Sequence, residues 1–219
     1  MRVHIQLSKN KEIVPFNYQE LQVSKLHYWL GKNKVHDALS LYSFSWLKNG
    51  KALGNKGLDF RNGSQYFISS LDDGLIKQII KGIQADNDFG YGMKITSLTL
   101  EKEPDFNNEN TFQVASPVFI KRQIDGKTKF YYPTDSEANT LLTETLINKL
   151  EKAKLNSKGV NVRFDESYLN INIKGTLYKG VHNKGTICPV IVEGTSEQIA
   201  FAWNVGIGNS TGIGFGSLI

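Results

Sequence analysis

Residues 103–110 read Glu103-Pro104-Asp105-Phe106-Asn107-Asn108-Glu109-Asn110, acidic and amide side chains around one proline and one aromatic ring. The stretch neither alternates nor carries a helical stripe, so it reads as a linker or surface loop. It divides the 219 residues into segments 1–110 and 111–219, each the size of a small domain. The order of elements on its two sides decides the fold.

Backwards from that stretch, Met93–Lys102 reads as a strand, and Asp73–Gln84 carries Leu75, Ile76, Ile79, Ile80 and Ile83 at helical spacing. Asn62-Gly63 between Leu58–Arg61 and Gln65–Ser69 has the composition of a two-residue hairpin turn. Leu41–Leu47 reads as a strand with Tyr42, Phe44 and Trp46 on one face. A helix is expected from near Tyr18 to about Gly31, with Asn17 as N-cap and Glu20 three residues on. Residues 2–7 alternate, with Val3, Ile5 and Leu7 against Arg2, His4 and Gln6, as in a half-buried strand.

Forwards, the pattern predicts a strand around Val114–Arg122, a turn at Asp125-Gly126, and a helix over Ser136–Lys154. Thr134 and Glu137 have the spacing of a capping box, and Leu142, Leu146, Leu150 and Ala153 form the buried stripe. Strands near Tyr168–Lys174 and Ile187–Val192, a short helix over Ser196–Val205 and a last strand at Ile213–Leu218 complete the half. Both halves approximate β-α-β-β-α-β, so the expected fold is α+β, two ferredoxin-like domains in tandem.

Composition bounds the function. Hydrophobic residues at 40% and charged residues at 21% exclude a disordered chain. No apolar run approaches the roughly 18 residues that span a bilayer, and the opening residues Met1–Glu12 lack the apolar stretch of a secretory signal. A soluble, cytoplasmic protein with no membrane partner is expected. One cysteine, Cys188, excludes an intrachain disulfide and a cysteine-cluster metal site. The net charge of +5 permits a polyanionic partner without requiring one.

The most specific signal is the tail, Gly206-Ile207-Gly208-Asn209-Ser210-Thr211-Gly212-Ile213-Gly214-Phe215-Gly216. Its glycines allow positive φ and close backbone approach, and successive free N–H groups can cradle a phosphate. No charged side chain follows Ile199, so an anion here would be held by backbone and hydroxyl dipoles. A tight packing loop is the competing reading, with about equal weight on chemistry alone. Thr211 stands where a dinucleotide-binding fingerprint needs glycine, and there is no Gly-Lys-Ser/Thr of a P-loop.

This tail resembles the C-terminal glycine-rich loop of the CRISPR repeat-processing endoribonucleases, the Cas-six family of RAMP proteins. Gly206-x-Gly208, a five-residue gap and Gly214-x-Gly216 match its pattern position by position. His36 followed by Tyr42-Ser43-Phe44-Ser45, and Ala115-Ser116-Pro117-Val118 at the start of the second half, are similar to the same family. The resemblance implies two ferredoxin-like domains and cleavage of precursor CRISPR RNA within its repeats. It also implies a route without metal or cofactor, in which the ribose 2′-OH attacks the adjacent phosphate and leaves a 2′,3′-cyclic phosphate and a 5′-OH. The mature guide RNA and other subunits of a CRISPR effector complex are further implied partners, and a homodimer is compatible with it. The alternative is a non-catalytic RNA-binding RAMP subunit; a module that binds a phosphate ligand through the tail alone is more distant.

Such a reaction needs a base, an acid and positive charge, and histidine can serve either proton task near neutrality. His36 matches the position of the family's catalytic histidine. His4 lies on the polar side of the first strand and reads as solvated, with RNA contact the lesser alternative. His27 lies about 70° from its helix's apolar stripe, a boundary residue, and His182 lies in a polar hairpin tip open to RNA contact or plain exposure. Lys25, Tyr28 and Lys32 share one face of the first helix, with Tyr28 at the position of the family's active-site tyrosine. Some members carry a lysine where this chain has Ser40; Lys34 and Lys51 are the replacements chosen, although Lys32 and Lys48 are also near in sequence. RNA contacts are expected from Lys25 and Lys32, from the basic and aromatic hairpin with Lys121, Arg122, Lys127 and Lys129, and from Gly206, Gly208, Asn209, Ser210, Thr211, Gly212, Gly214 and Gly216.

Overall fold

The computed structural model describes residues 1–31 and 39–219. In the first half, strand β1 (Arg2–Leu7) leads to helix α1 (Gln19–Leu30), then β2 (Tyr42–Phe44), a short ribbon of β3 (Lys51–Ala52) and β4 (Leu58–Asp59), β5 (Ser64–Ser70), α2 (Asp73–Ala85), β6 (Asp88–Gly90) and β7 (Met93–Glu101). The sheet order is β2-β5-β1-β7-β6, all antiparallel. With β6 set aside as an edge addition, this is the ferredoxin-like order. Val3, Ile5 and Leu7 of β1 bury against Leu26 and Leu30 of α1 and Ile76, Ile79 and Ile83 of α2, as their period-2 and helical spacings require.

The second half contains β8 (Glu109–Phe112), a ribbon of β9 (Lys121–Ile124) and β10 (Lys127–Phe130), α3 (Ala138–Lys152), β11 (Asn161–Phe164), a long ribbon of β12 (Asn172–Tyr178) and β13 (Val181–Ile187), β14 (Val190–Glu193), and α4 (Ser196–Val205). Its sheet runs β11-β14-β8, with Leu218 bridging Val114 beyond β8. Without the two ribbons the order is again ferredoxin-like, so the tandem architecture holds. Leu142, Leu146 and Leu150 of α3 pack with Val162, Val190, Val192, Ile199 and Phe201 in a second core.

Helix α4 joins the halves. Gln198–Val205 are all buried, as expected of a helix with neighbours on every side. Ser43 donates to the Asn204 carbonyl (3.1 Å), and Ser69 donates to the Asn204 side-chain oxygen (3.2 Å). Arg2, 2% exposed, lies between the rings of Phe67 and Trp203, 3.9 and 3.6 Å from their centroids. It donates to the carbonyls of Trp203 (3.1 Å) and Leu218 (2.8 Å) and lies 3.7 Å from the Glu101 carboxylate. Burial lowers its pKa to about 9, against the opposing pull of Glu101.

Several sequence expectations need correction. The Asn62-Gly63 turn forms, with the Gly63 N–H donating to Phe60 (2.8 Å), but makes no hairpin, because both edges of β5 are taken by β1 and β2. Residues expected in a strand over Val114–Arg122 make only isolated bridges at Val114 and Val118 before β9. Pro117 lies between these bridges and has no N–H to donate. Glu109 and Asn110, expected in the linker, begin β8. The terminal strand at Ile213–Leu218 is absent as such; a 3-10 turn over Thr211–Ile213 and positive φ at Gly214 and Gly216 break it up. The first helix starts after Tyr18 without a side-chain cap, and no cap bond forms at Glu137. The capping box that does form is Thr195 with Gln198 at the start of α4. His182 lies within β13, beyond the Lys179-Gly180 turn, not at a hairpin tip.

Two substitutions test the seam and the tail. Arg2→Ala orphans two carbonyls and removes a stacked side chain, for an expected loss of about 2–4 kcal/mol in urea unfolding. Gly216→Ala places a Cβ on the Ile207 carbonyl oxygen at a φ of +62°. It should cost on the order of 3 kcal/mol, and an unchanged denaturation midpoint would contradict the packing described here.

Candidate nucleic-acid interface

The glycine-rich tail leaves α4 at Gly206, whose N–H closes the helix on Ala202 (2.8 Å). It then folds back on itself: Ile207 N–H donates to Gly216 (2.9 Å), Asn209 N–H to Phe119 (2.7 Å), and Gly216 N–H to Pro117 (2.8 Å). Glycine is required because there is no room. A Cβ at Gly206 would lie 2.6 Å from the Gly216 oxygen, one at Gly208 2.6 Å from the Phe119 oxygen, and one at Gly214 2.9 Å from the Phe44 ring. One at Gly212 would strike Ser40 and crowd the Tyr42 hydroxyl. The packing role and the open backbone therefore coexist. The N–H groups of Ile213 and Gly214 close the 3-10 turn, while those of Ser210, Thr211 and Gly212 meet no acceptor among the described residues. Ser210, partly exposed, is left-handed (φ 62°, ψ 32°) ahead of that turn, so these successive donors lie in a nest-like arrangement, with Thr211 and Gly212 buried.

Ser210, Gly212 and Ile213 form one wall of a cleft of about 500 Å³. Glu20, Val23, Ser24 and His27 of α1 face them, with Ser40 and Tyr42 beside the loop and Tyr178 and Lys179 from the β12–β13 turn closing the third side. That ribbon crosses from the second half to α1: the Lys179 N–H donates to Glu20 (2.7 Å) and Thr176 to Gln19 (3.1 Å). Tyr42 donates to the Gly212 carbonyl (3.3 Å). Burial pushes its hydroxyl up to about 12, with a Ser40 hydrogen bond opposing and Tyr178 adding to the shift. The Tyr178 hydroxyl is raised by burial and by Glu20. Both phenols stay protonated and can act near neutrality only as hydrogen-bonding groups.

Beneath the loop lies Lys149 of α3. It is 1% exposed. Its ammonium donates to the carbonyls of Gly206 (3.0 Å) and Val205 (3.4 Å) and to the Thr211 hydroxyl (3.3 Å). Burial alone lowers its pKa to about 7. A signal for it exists in the sequence: Lys149 is three residues after Leu146 and seven after Leu142, which puts it on the buried stripe.

The structure separates the expected site residues. Lys32, Lys34 and His36 lie outside the described residues. Lys25 is paired with Asp88 (2.9 Å), and its ammonium is 5.5 Å from the Tyr28 ring centre. Tyr28 is 61% exposed and, with Lys25 on Asp88, lies on a face of α1 that does not line the cleft. Lys51 is exposed on the β3–β4 ribbon, also away from the lining. His27, expected at the edge of the apolar stripe of α1, does line it. His4 lies 2.7 Å from Glu101.

Of the hairpin, Lys121, Lys127 and Lys129 are exposed, and Lys129 lies 4.5 Å from the Tyr131 ring centre. Arg122 is held by Glu144 (3.1 Å) and the Leu141 carbonyl (3.2 Å). Asn209 accepts from the Lys121 N–H (2.9 Å), tying the hairpin to the tail. Its side-chain oxygen is thereby committed to structure. Thr211 and Gly206, Gly208, Gly212, Gly214 and Gly216 are buried, and of the expected tail residues Ser210 and Gly212 are in the cleft lining.

Residues 101–218 match the family model described as CRISPR associated protein Cas6, C-terminal. The chain is 25% identical to CRISPR-associated endoribonuclease Cas6 1 of Methanocaldococcus jannaschii, over 100% of this chain and 92% of that one. Among solved structures it is similar to a Cas6-related protein of Pyrococcus furiosus, at a TM-score of 0.89 and 21% identity over 100% of this chain and 97% of that one. It is also similar to a RAMP protein described as binding different RNA substrates, at a TM-score of 0.85 and 21% identity over 100% of this chain and 99% of that one. Among the described residues, no helix is long and apolar enough to cross a membrane. With the family model covering more than half of its length, the chain belongs to the Cas6 family.

Proposed function

We propose that this chain is an endoribonuclease that cuts precursor CRISPR RNA within its repeats and retains the guide RNA, with its two ferredoxin-like units dividing near residue 110. The observation that carries the proposal is the cleft, lined by Ser210 and Gly212 of the tail together with α1 and Ser40, where the tail N–H groups of residues 210–212 meet no acceptor among the described residues. Backbone donors of this kind suit phosphate whatever the base. The exposed Lys121, Lys127 and Lys129, joined to the tail through Asn209, extend the surface toward a longer RNA.

In the proposed reaction the 2′ oxygen bonds to phosphorus as the bond from phosphorus to the 5′ oxygen breaks. A base takes the 2′ proton and an acid gives one to the leaving oxygen, leaving a 2′,3′-cyclic phosphate and a 5′-OH. His36 is proposed for one of these proton transfers; it lies four residues before Ser40 in the sequence. Tyr28, Lys34 and Lys51 are retained as supporting groups, which requires the RNA to extend beyond the described cleft to reach Tyr28 and Lys51. Their position outside its lining favours the second reading, an RNA-binding subunit that does not cut.

Single-turnover incubation of purified protein with labelled repeat RNA in EDTA separates the readings, since only the enzyme produces a cyclic phosphate end. His36→Ala should slow cleavage by about 10²–10⁴-fold while RNA affinity persists. His27→Ala, at the imidazole that lines the cleft, is the comparison. If His36→Ala cleaves at the wild-type rate, the role proposed for His36 is wrong.

A further inference from the structure

We propose that Lys149 is a positioning residue for RNA binding, a buried cation that holds the glycine-rich tail in shape and supplies the positive charge its own side chains lack. The inference rests on the reading of the tail as an RNA-contacting surface and goes beyond it by naming what makes an uncharged loop attractive to phosphate.

Three observations carry it. The ammonium bridges both ends of the loop segment, the Gly206 carbonyl where α4 ends and Thr211 inside the 3-10 turn. Thr211 lies between Ser210 and Gly212, so its tie to Lys149 fixes the segment whose N–H groups meet no acceptor among the described residues. The ammonium's three partners are neutral oxygens, so no contacting carboxylate cancels its charge. Two of those oxygens are helix C-terminal carbonyls, where a cation is favoured. In a water-poor interior that charge acts over a longer range than an exposed lysine would.

Among the described groups around the tail, His27 is of a type that ordinarily titrates at about 6.5 and Lys149 titrates near neutrality or above, so the course above neutrality is the part that reports Lys149. Tyr42 of β2, which bonds Gly212, stays protonated. The tail has no ionisable side chain. Arg163 of β11 is held by Glu193 and Glu109, and Arg122 by Glu144 of α3. Glu151 and Lys152 of α3 are exposed, and α4 carries only Glu197, at its opposite end. Across the cleft stand Glu20, His27, Tyr178 and Lys179. A phosphate at the loop favours the charged ammonium, so its pKa rises on binding from about 7. Between the free and bound values RNA binding takes up a proton, and affinity falls as pH rises, by at most about tenfold per unit for one proton.

The test measures affinity from pH 6 to 9 with a repeat RNA 2′-O-methylated throughout, so that no cleavage intervenes. Lys149→Met keeps the length and removes the charge; Thr211→Val keeps the charge and cuts its tie to the loop. At pH 6.5 Lys149→Met should bind roughly tenfold more weakly and lose the part of the pH course that lies above neutrality. Thr211→Val should weaken binding but retain that course, and it carries the test if Lys149→Met does not fold. A wild-type chain that binds no RNA overturns the underlying reading. A wild-type chain that binds, with a folded variant matching it in affinity and pH course, overturns the role of Lys149 alone.

Discussion

The close approach of the glycine-rich tail to the backbones around it is the constraint on which the rest depends. At Gly206, Gly208 and Gly216 a single added carbon would meet a carbonyl oxygen, and at Gly214 an aromatic ring. The tail thereby runs between Pro117–Phe119 of its own half and β2 of the other, and its N–H groups divide into two sets. Those facing partner backbone are consumed, whereas those of Ser210–Gly212 meet no acceptor among the described residues. Close packing and the donors that meet no acceptor among the described residues belong to the same geometry.

Helix α4 and Arg2 hold that geometry in register. The helix is buried on every side, between the core of its own half and the helix-free face of the first sheet. Arg2 meets this arrangement with both faces of its guanidinium stacked and two donors on carbonyls of the second half. Its cost is visible in the lowered pKa, since a cation removed from water must be compensated by nearby partners. Lys149 repeats the theme beneath the tail with neutral partners only. Two buried cations thus secure the junctions from which the cleft is formed, and neither is on the surface where a basic RNA binder would first be searched.

The electrostatics of the cleft follow from this layout. Its phenols are held protonated and its glycines are neutral, so the charged groups on its walls are Lys179 and Glu20, with the Lys149 ammonium buried below. The visible basic residues partly cancel: Lys25 is engaged by Asp88 and Arg122 by Glu144. Net charge alone is therefore a poor guide to where a polyanion would lie.

By itself the sequence determined the two-fold repetition of elements, the helices α2 and α4, and the glycine spacing of the tail, because these rest on local periodicity and on residues with unusual backbone freedom. Tertiary structure decided what each charged residue does. Arg2 alternates to the polar side of β1, yet that side is covered by α4; Lys149 follows its helix stripe into the core; Lys25 and Tyr28 share a face on which Lys25 pairs with Asp88. The same holds for pairing, as β4 joins β3 because β5 already has two neighbours, and the last strand gives way to positive-φ glycines. Period and spacing specify a face, but the partner on that face comes from the other half of the chain, through contacts between residues as far apart as Arg2 and Leu218.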